Sequence, residues 1–230
     1  MQQDASLAIE NNENSIILSP TGTGKTLAFL LPFLKTLDSN SKAIQALVLV
    51  PTRELAIQIE QVVRNMGTGF KVNAVYGGRP MSKDKIELKH NPAILIGTPG
   101  RILDHFNSER FSKETIKTLI LDEFDKSLEI GFEEEMSAIL RELTRLDKRI
   151  LTSATQGVDI PEFVQLMDPK IVNYLDGKVI AGLAIKTVTC DTDKFETLSN
   201  LLAHIGNQPG IIFCNFKDSI AEVSTFLERN

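Results

Sequence analysis

The residues Ser19-Pro20-Thr21-Gly22-Thr23-Gly24-Lys25-Thr26 bring glycines, hydroxyls and a lysine into one short run. They follow the apolar stretch Ile16-Ile17-Leu18 and open a helix-like run from Thr26 to Leu37. A strand, a tight glycine-containing loop and a helix start make a cradle for phosphate. Glycines let backbone N–H groups converge on oxygen anions, and the helix N-terminus adds the positive end of its dipole. Lys25 would reach the β- and γ-phosphates, and the Thr26 hydroxyl would ligate Mg²⁺. A nucleoside triphosphate is the expected ligand.

Leu119-Ile120-Leu121-Asp122-Glu123-Phe124-Asp125 is a strand running into carboxylates. An acidic strand end alone is more often a solvated turn; downstream of a phosphate cradle it becomes a signal. Asp122 would hold Mg²⁺, directly or through water, and Glu123 would accept a proton from an attacking water. Thr152-Ser153-Ala154-Thr155 ends another strand, so its hydroxyls would emerge at the same edge. There they can bond Asp125 and register whether nucleotide is bound. Pro51-Thr52-Arg53-Glu54-Leu55-Ala56 reads by itself as a capped helix start. Gly77-Gly78 and Thr98-Pro99-Gly100-Arg101 read by themselves as turns.

The elements that must position these groups alternate along the chain. Ile44 to Val50 is nearly continuously apolar and β-branched, as a strand buried on both faces should be. Phe70 to Tyr76, Ala93 to Gly97, Lys117 to Leu121, Arg149 to Ser153 and Ile171 to Tyr174 read as further strands. Helices are expected over Thr52 to Met66, with Leu55, Ile59 and Val62 at helical spacing, and over Phe132 to Leu146. Glu133, Glu134 and Glu135 fall in the first turn of the latter, where the dipole favours them as a solvated cap. Strands alternating with helices predict an α/β fold, a doubly wound, mostly parallel sheet with helices on both faces. Such sheets bind ligands beyond the carboxyl ends of their strands.

The first domain is expected over residues 1–175, followed by a linker at 176–186. Residues 187–230 read as strand Thr187 to Cys190, helix Lys194 to Ile205, strand Gly210 to Asn215 and helix Lys217 to Leu227. A piece that small has trouble burying its own core, so it is expected to be the opening of an incomplete second domain. Hydrophobic residues at 42% and charged residues at 24% are ordinary for a globular protein. No apolar run has the length of a membrane span, and the N-terminus lacks a signal pattern. Cys190 and Cys214 are too few and too isolated for a metal site or a disulfide framework, which favours a reducing cytoplasm. The net charge of −5 argues against a surface that is basic all over, while leaving room for a local basic patch.

Taken together, the order and spacing of Ser19 to Thr26, Pro51 to Ala56, Gly77-Gly78, Thr98 to Arg101, Asp122 to Asp125 and Ser153 to Thr155 resemble the DEAD-box family of ATP-dependent RNA helicases. Ser19 stands where the general phosphate loop has glycine, and a small residue followed by Thr-Gly-x-Gly-Lys-Thr is the helicase-type variant. Ile211 to Asn215 resembles the first motif of that family's second domain. The resemblance implies a RecA-like fold, Mg²⁺·ATP as cofactor and substrate, and hydrolysis coupled to RNA strand separation. It also implies that Gln2, just ahead of the phosphate loop, reads adenine, with Gln3 as competitor, because a carboxamide offers a donor and an acceptor. It implies that Pro51, Thr52, Arg53, Gly77, Gly78, Thr98, Pro99, Gly100 and Arg101 grip an RNA sugar–phosphate backbone with little sequence preference. Asp125, Ser153 and Thr155 would couple ATP to RNA, and the protein is expected to act as a monomer. Three departures stand out: Phe124 replaces the alanine of the acidic box, the residues upstream of Gln2 are missing, and so are the later arginines that complete the ATPase site. The chain as given is therefore expected to bind nucleotide but to hydrolyse it poorly. An RNA clamp with little turnover and a DNA-directed motor are the alternatives.

Overall fold

Strand runs that are apolar at every position, rather than at every second one, demand cover on both faces of a sheet. In the computed structural model they form seven strands: β1 (Asn14–Leu18), β2 (Ala46–Leu49), β3 (Val72–Val75), β4 (Ile94–Gly97), β5 (Thr118–Leu121), β6 (Lys148–Ser153) and β7 (Lys170–Asn173). The structure describes residues 1–109, 111–155, 159–175, 184, 186–190 and 193–229. The sheet order is β3-β4-β2-β5-β6-β1-β7, and every pairing is parallel.

Side chains two apart on a strand share a face, and the buried residues sort accordingly. Ala46 and Val48 of β2 join one core with Ile9 of α1 (Gln2–Asn11), Phe29 and Phe33 of α2 (Lys25–Leu34) and Ile59 of α3 (Arg53–Asn65). Leu47 and Leu49 face a second core with Phe106 of α5 (Pro99–Asn107), Phe124 of α6 (Phe124–Ile130) and Ile139 of α7 (Glu133–Glu142). The short α4 (Met81–Glu87) lies between β3 and β4 in the chain. The α/β class holds, with helices on both faces of the sheet. The helix expected over Phe132 to Leu146 stops at Glu142.

The chain divides into two units, Met1–Lys178 and Val179–Asn230. The expected linker falls mostly outside the described residues. In the second unit α8 (Lys194–Ile205) is capped by Asp193, whose carboxylate accepts the Phe195 and Glu196 N–H groups. α9 (Lys217–Arg229) follows. The strands expected at Thr187 to Cys190 and Gly210 to Asn215 do not form. A strand exists only through a paired neighbour, and in this unit none lies among the described residues. Ile211 and Phe213 stay exposed, and no described residue of the unit is buried.

The sheet order has a consequence for the candidate residues. Gly77-Gly78, Thr98 to Arg101 and Pro51 to Arg53 follow β3, β4 and β2, which are neighbours. The acidic box, the Ser-Ala-Thr segment and the phosphate loop follow β5, β6 and β1, also neighbours. Two sets of loops therefore occupy two halves of one carboxyl edge.

Candidate functional site

β1 leads straight into the phosphate loop, where the Ser19 N–H donates to the Ser153 carbonyl at 3.1 Å. Thr23 Oγ1 donates to the Pro20 carbonyl at 2.8 Å and lies 2.7 Å from Ser19 Oγ, drawing the loop tight. Gly24 caps α2 with φ +86°, a left-handed conformation that an L side chain adopts at a cost. A Cβ at Gly24 would also collide with the Gln2 carboxamide. Gln2 Nε2 donates to the Gly24 carbonyl at 3.4 Å, so the first residue of α1 sits against the loop. Lys25, the first residue of α2, donates to the Ser19 and Pro20 carbonyls at 2.5 and 3.2 Å. Burial lowers its pKa, and the charges of Asp122, Glu123 and Asp125 oppose that shift.

Lys25 and Thr26 line a cleft of about 490 Å³ together with Asp122 and Glu123. The expected phosphate, metal and base residues are thus brought together. Its far wall is α3, through Leu55, Gln58 and Val62. Leu55 and Val62, at helical spacing with Ile59, are only half-buried because they form this wall; Ala56, Ile59 and Val63 fill the core. A larger hollow of about 800 Å³ runs along α7 past Glu133, Glu134, Glu135 and Arg141. It lies along the side of α7, with no phosphate loop and none of the strand-end loops in its lining.

Asp122 is buried at the end of β5, where its N–H donates to the Leu49 carbonyl at 3.0 Å. Burial pushes its pKa up to about 6; the hydrogen bond from Thr152 opposes this, Glu123 adds to it and Lys25 opposes it. The Thr152 hydroxyl donates to Asp122 and accepts the Glu123 N–H at 3.1 Å. Glu123 stands at φ +49°, ψ +51°, left-handed for a residue with a side chain. That turn ends the strand, starts α6 and leaves Glu123 on the cleft. Asp125 is buried one turn on and accepts from Thr155 Oγ1 at 2.9 Å and the Ala154 N–H at 3.3 Å. Ser153 bonds Thr155: its hydroxyl donates to the Thr155 carbonyl at 2.9 Å and accepts the Thr155 N–H at 3.1 Å, shaping the turn. Phe124 is buried and lines, with Ile16, Leu151 and Ile160, a small cavity of about 140 Å³ behind the box.

On the other half of the edge, Thr52 Oγ1 accepts the Leu55 N–H at 3.2 Å and caps α3. Arg53 is 64% exposed, paired to Glu54 at 2.6 Å, and its guanidinium lies close to Gly78. The expected turn at Thr98 to Arg101 is the start of α5, with Thr98 at its cap and Pro99 at its first position. Gly97 just before it is tightly enclosed: a Cβ there would lie 2.6 Å from the Val75 carbonyl and 2.8 Å from Ile102. Arg101 is only 11% exposed, and its guanidinium binds inside the fold. Thr152, Gln58 and the partners of Arg101 were not singled out by sequence reasoning. Thr152 had a signal, its place in the Thr-Ser-Ala-Thr run; the others became visible only through contacts between distant segments.

Among the described residues no group of three or more His, Cys, Asp or Glu side chains could enclose a metal. Asp122 beside Thr26 fits instead an ion held by one or two protein oxygens, such as Mg²⁺, which takes its other ligands from phosphate and water. The family model for DEAD/DEAH box helicases matches residues 1–163. The chain belongs to that family. This DEAD-box chain is 36% identical over 215 residues to the ATP-dependent RNA helicase CshA of Listeria monocytogenes, covering 90% of itself and 41% of that protein. It is 33% identical over 237 residues to the ATP-dependent RNA helicase eIF4A of Kluyveromyces lactis, covering 100% of itself and 60% of that protein. A crystal structure of a DEAD box protein from Methanococcus jannaschii matches with TM-score 0.65 and 29% identity, over 99% of this chain and 63% of that one. A hypothetical ATP-dependent RNA helicase from Sulfolobus tokodaii matches with TM-score 0.65 and 28% identity, over 75% and 51%. The DEAD-box chain thus spans roughly half the length of these relatives. No described helix is long and apolar enough to cross a membrane.

Proposed function

We propose that this DEAD-box chain is the ATP-binding part of an enzyme that hydrolyses ATP to remodel RNA. The observation that carries the reading is the division of one sheet edge between two sets of loops, with Asp125 and Thr155 hydrogen-bonded at 2.9 Å beside the acidic pair. Lys25 holds the β- and γ-phosphates, while the loop N–H groups and the α2 N-terminus meet the remaining oxygens. Thr26 and Asp122 hold Mg²⁺, which when bound neutralises charge on the phosphate oxygens. Glu123 takes the proton of the attacking water. Gln2 reads the adenine edge from beside Gly24, through its donor and acceptor. Arg53, Thr52, Gly78, Thr98 and the backbone at the start of α5 hold an RNA backbone, which gives RNA preference without base reading.

Phosphate release by the full-length protein tests this reading, measured with single-stranded RNA, single-stranded DNA or neither. RNA should stimulate release, several unrelated sequences equally, and DNA should not. Stimulation by DNA alone would make it a DNA-directed motor. RNA binding without any stimulated release would make it a clamp.

A further inference from the structure

Asp84 is fully buried in α4, a place where a carboxylate is costly unless donors surround it. The groups that face it come from two other segments, by ion pairing at Oδ1 and by hydrogen bonding at Oδ2. Arg79, which directly follows the Gly77-Gly78 loop, ion-pairs Oδ1 at 2.6 Å. From α5, Arg101 Nε reaches Oδ2 at 2.6 Å, and His105 Nε2 lies 3.0 Å from the same oxygen. Arg101 Nη2 also donates to the Arg79 carbonyl at 2.6 Å, so one guanidinium ties the loop backbone and the carboxylate together. Arg79 reaches back to the Ala74 carbonyl at 3.0 Å and to Glu87 at 2.7 Å, and it lies over the Tyr76 ring.

We propose that Asp84 is a positioning residue for RNA: it locks the Gly77-Gly78 loop and the first turn of α5 into one unit, with Arg101 as that unit's internal strut. The inference rests on the reading that RNA lies over those two segments. Both would contact a strand through groups whose spacing matters, namely loop N–H groups, the Thr98 hydroxyl and the α5 N-terminus. The pairing of strands β3 and β4 ends with the Thr98 N–H donating to the Val75 carbonyl at 3.3 Å, which anchors the cap of α5 but stops short of Gly77-Gly78. Asp84 supplies the missing constraint from α4, in the connection between the two strands.

The opposing possibility is that Asp84 only neutralises two arginines that would otherwise meet phosphate. The two differ in sign. Removing a negative charge near an RNA site favours binding on Coulomb grounds and frees cations for phosphate, which steepens the salt dependence. Removing a positioning group weakens binding and leaves the number of phosphate contacts unchanged.

The experiment measures binding of several unrelated single-stranded RNAs over a range of salt, for the wild type, Asp84→Asn, Arg101→Lys and Arg53→Ala. Nucleotide affinity without RNA and thermal unfolding report on the fold. Asn cannot balance two guanidinium groups, and Lys keeps the charge of Arg101 but cannot form the fork to Asp84 and the Arg79 carbonyl. Asp84→Asn and Arg101→Lys should each weaken RNA binding roughly tenfold or more, alike for all sequences, as expected for loss of a charged hydrogen bond. The salt slope and the nucleotide affinity should stay at wild-type values. Equal or tighter RNA binding by Asp84→Asn with a steeper slope would overturn the proposal in favour of neutralisation. Wild-type binding by Arg101→Lys would overturn it in favour of a phosphate contact, and this variant decides if Asp84→Asn does not fold. If Arg53→Ala too leaves affinity and slope unchanged, the placement of RNA on this face fails, and the proposal fails with it. A loss for Arg53→Ala with none for the other two overturns the Asp84 proposal alone.

Discussion

Thr152→Val should move the pH dependence of metal-assisted nucleotide binding. Valine keeps the shape of threonine but removes the hydroxyl that donates to Asp122 and accepts the Glu123 N–H. Asp122 already has its pKa pushed up to about 6 by burial, and the Thr152 bond is the largest influence holding it down. A hydrogen bond to a charged group contributes about 1.5–3 kcal/mol, and about 1.4 kcal/mol corresponds to one pKa unit. Losing the bond should therefore raise the Asp122 pKa further. Only the carboxylate binds Mg²⁺, so metal-assisted binding disappears as pH falls through its pKa. At pH 7 a smaller share of Asp122 should then be ionised in the variant than in the wild type. Mg²⁺-dependent affinity should fall by up to roughly tenfold at pH 7, the factor that the lower of those bond energies corresponds to, and recover towards pH 9. The assay is titration of a fluorescent ATP analogue with Mg²⁺ and with chelator, between pH 5.5 and 9. A midpoint unchanged from the wild type, or a loss equal at every pH, would refute the role of Thr152 in tuning Asp122.

Three further outcomes are expected. Asp122→Asn should stabilise the fold while abolishing Mg²⁺-dependent binding. The folded pKa lies above the ordinary carboxyl value of 3.8, so the charged form penalises the folded state: not at all below about pH 4, increasingly up to about 6, and fully above. Thermal unfolding at pH 7–8 should show a gain on the order of 1–3 kcal/mol that vanishes in acid. Arg53→Ala should weaken binding of unrelated RNAs equally and lower the salt slope by up to roughly 0.7, the value for one single-strand phosphate contact. Gly97→Ala should destabilise by roughly 1–3 kcal/mol in denaturant unfolding, since the added methyl meets the Val75 carbonyl and Ile102 in a closed space.

Much of this was legible in the sequence because it is local. Strands with apolar residues at every position announced a sheet covered on both faces, and their spacing gave its parallel character. The phosphate loop, the acidic box and Thr98 to Arg101 each stand where a strand ends, so their shared edge followed from topology. Less legible was whatever depends on partners far away in the chain. Thr187 to Cys190 and Gly210 to Asn215 carry strand-like residues, yet propensity yields no strand without a neighbour to bond. Arg101 reads as an exposed cation until Asp84, seventeen residues earlier, is seen to hold it. Leu55 and Val62 fit a core stripe by period alone, and only the cleft beside them explains why they stay half-buried.

The central claim is that the cleft between the phosphate loop and the acidic box binds and hydrolyses ATP, with Glu123 as base. The most direct measurement compares wild type and Glu123→Gln in the full-length protein, for Mg²⁺·ATP affinity and for RNA-stimulated phosphate release at matched nucleotide occupancy. Affinity should stay close to the wild type while release falls by something on the order of 10²–10⁴-fold, as for loss of a general base. Near-normal release by Glu123→Gln would contradict the account.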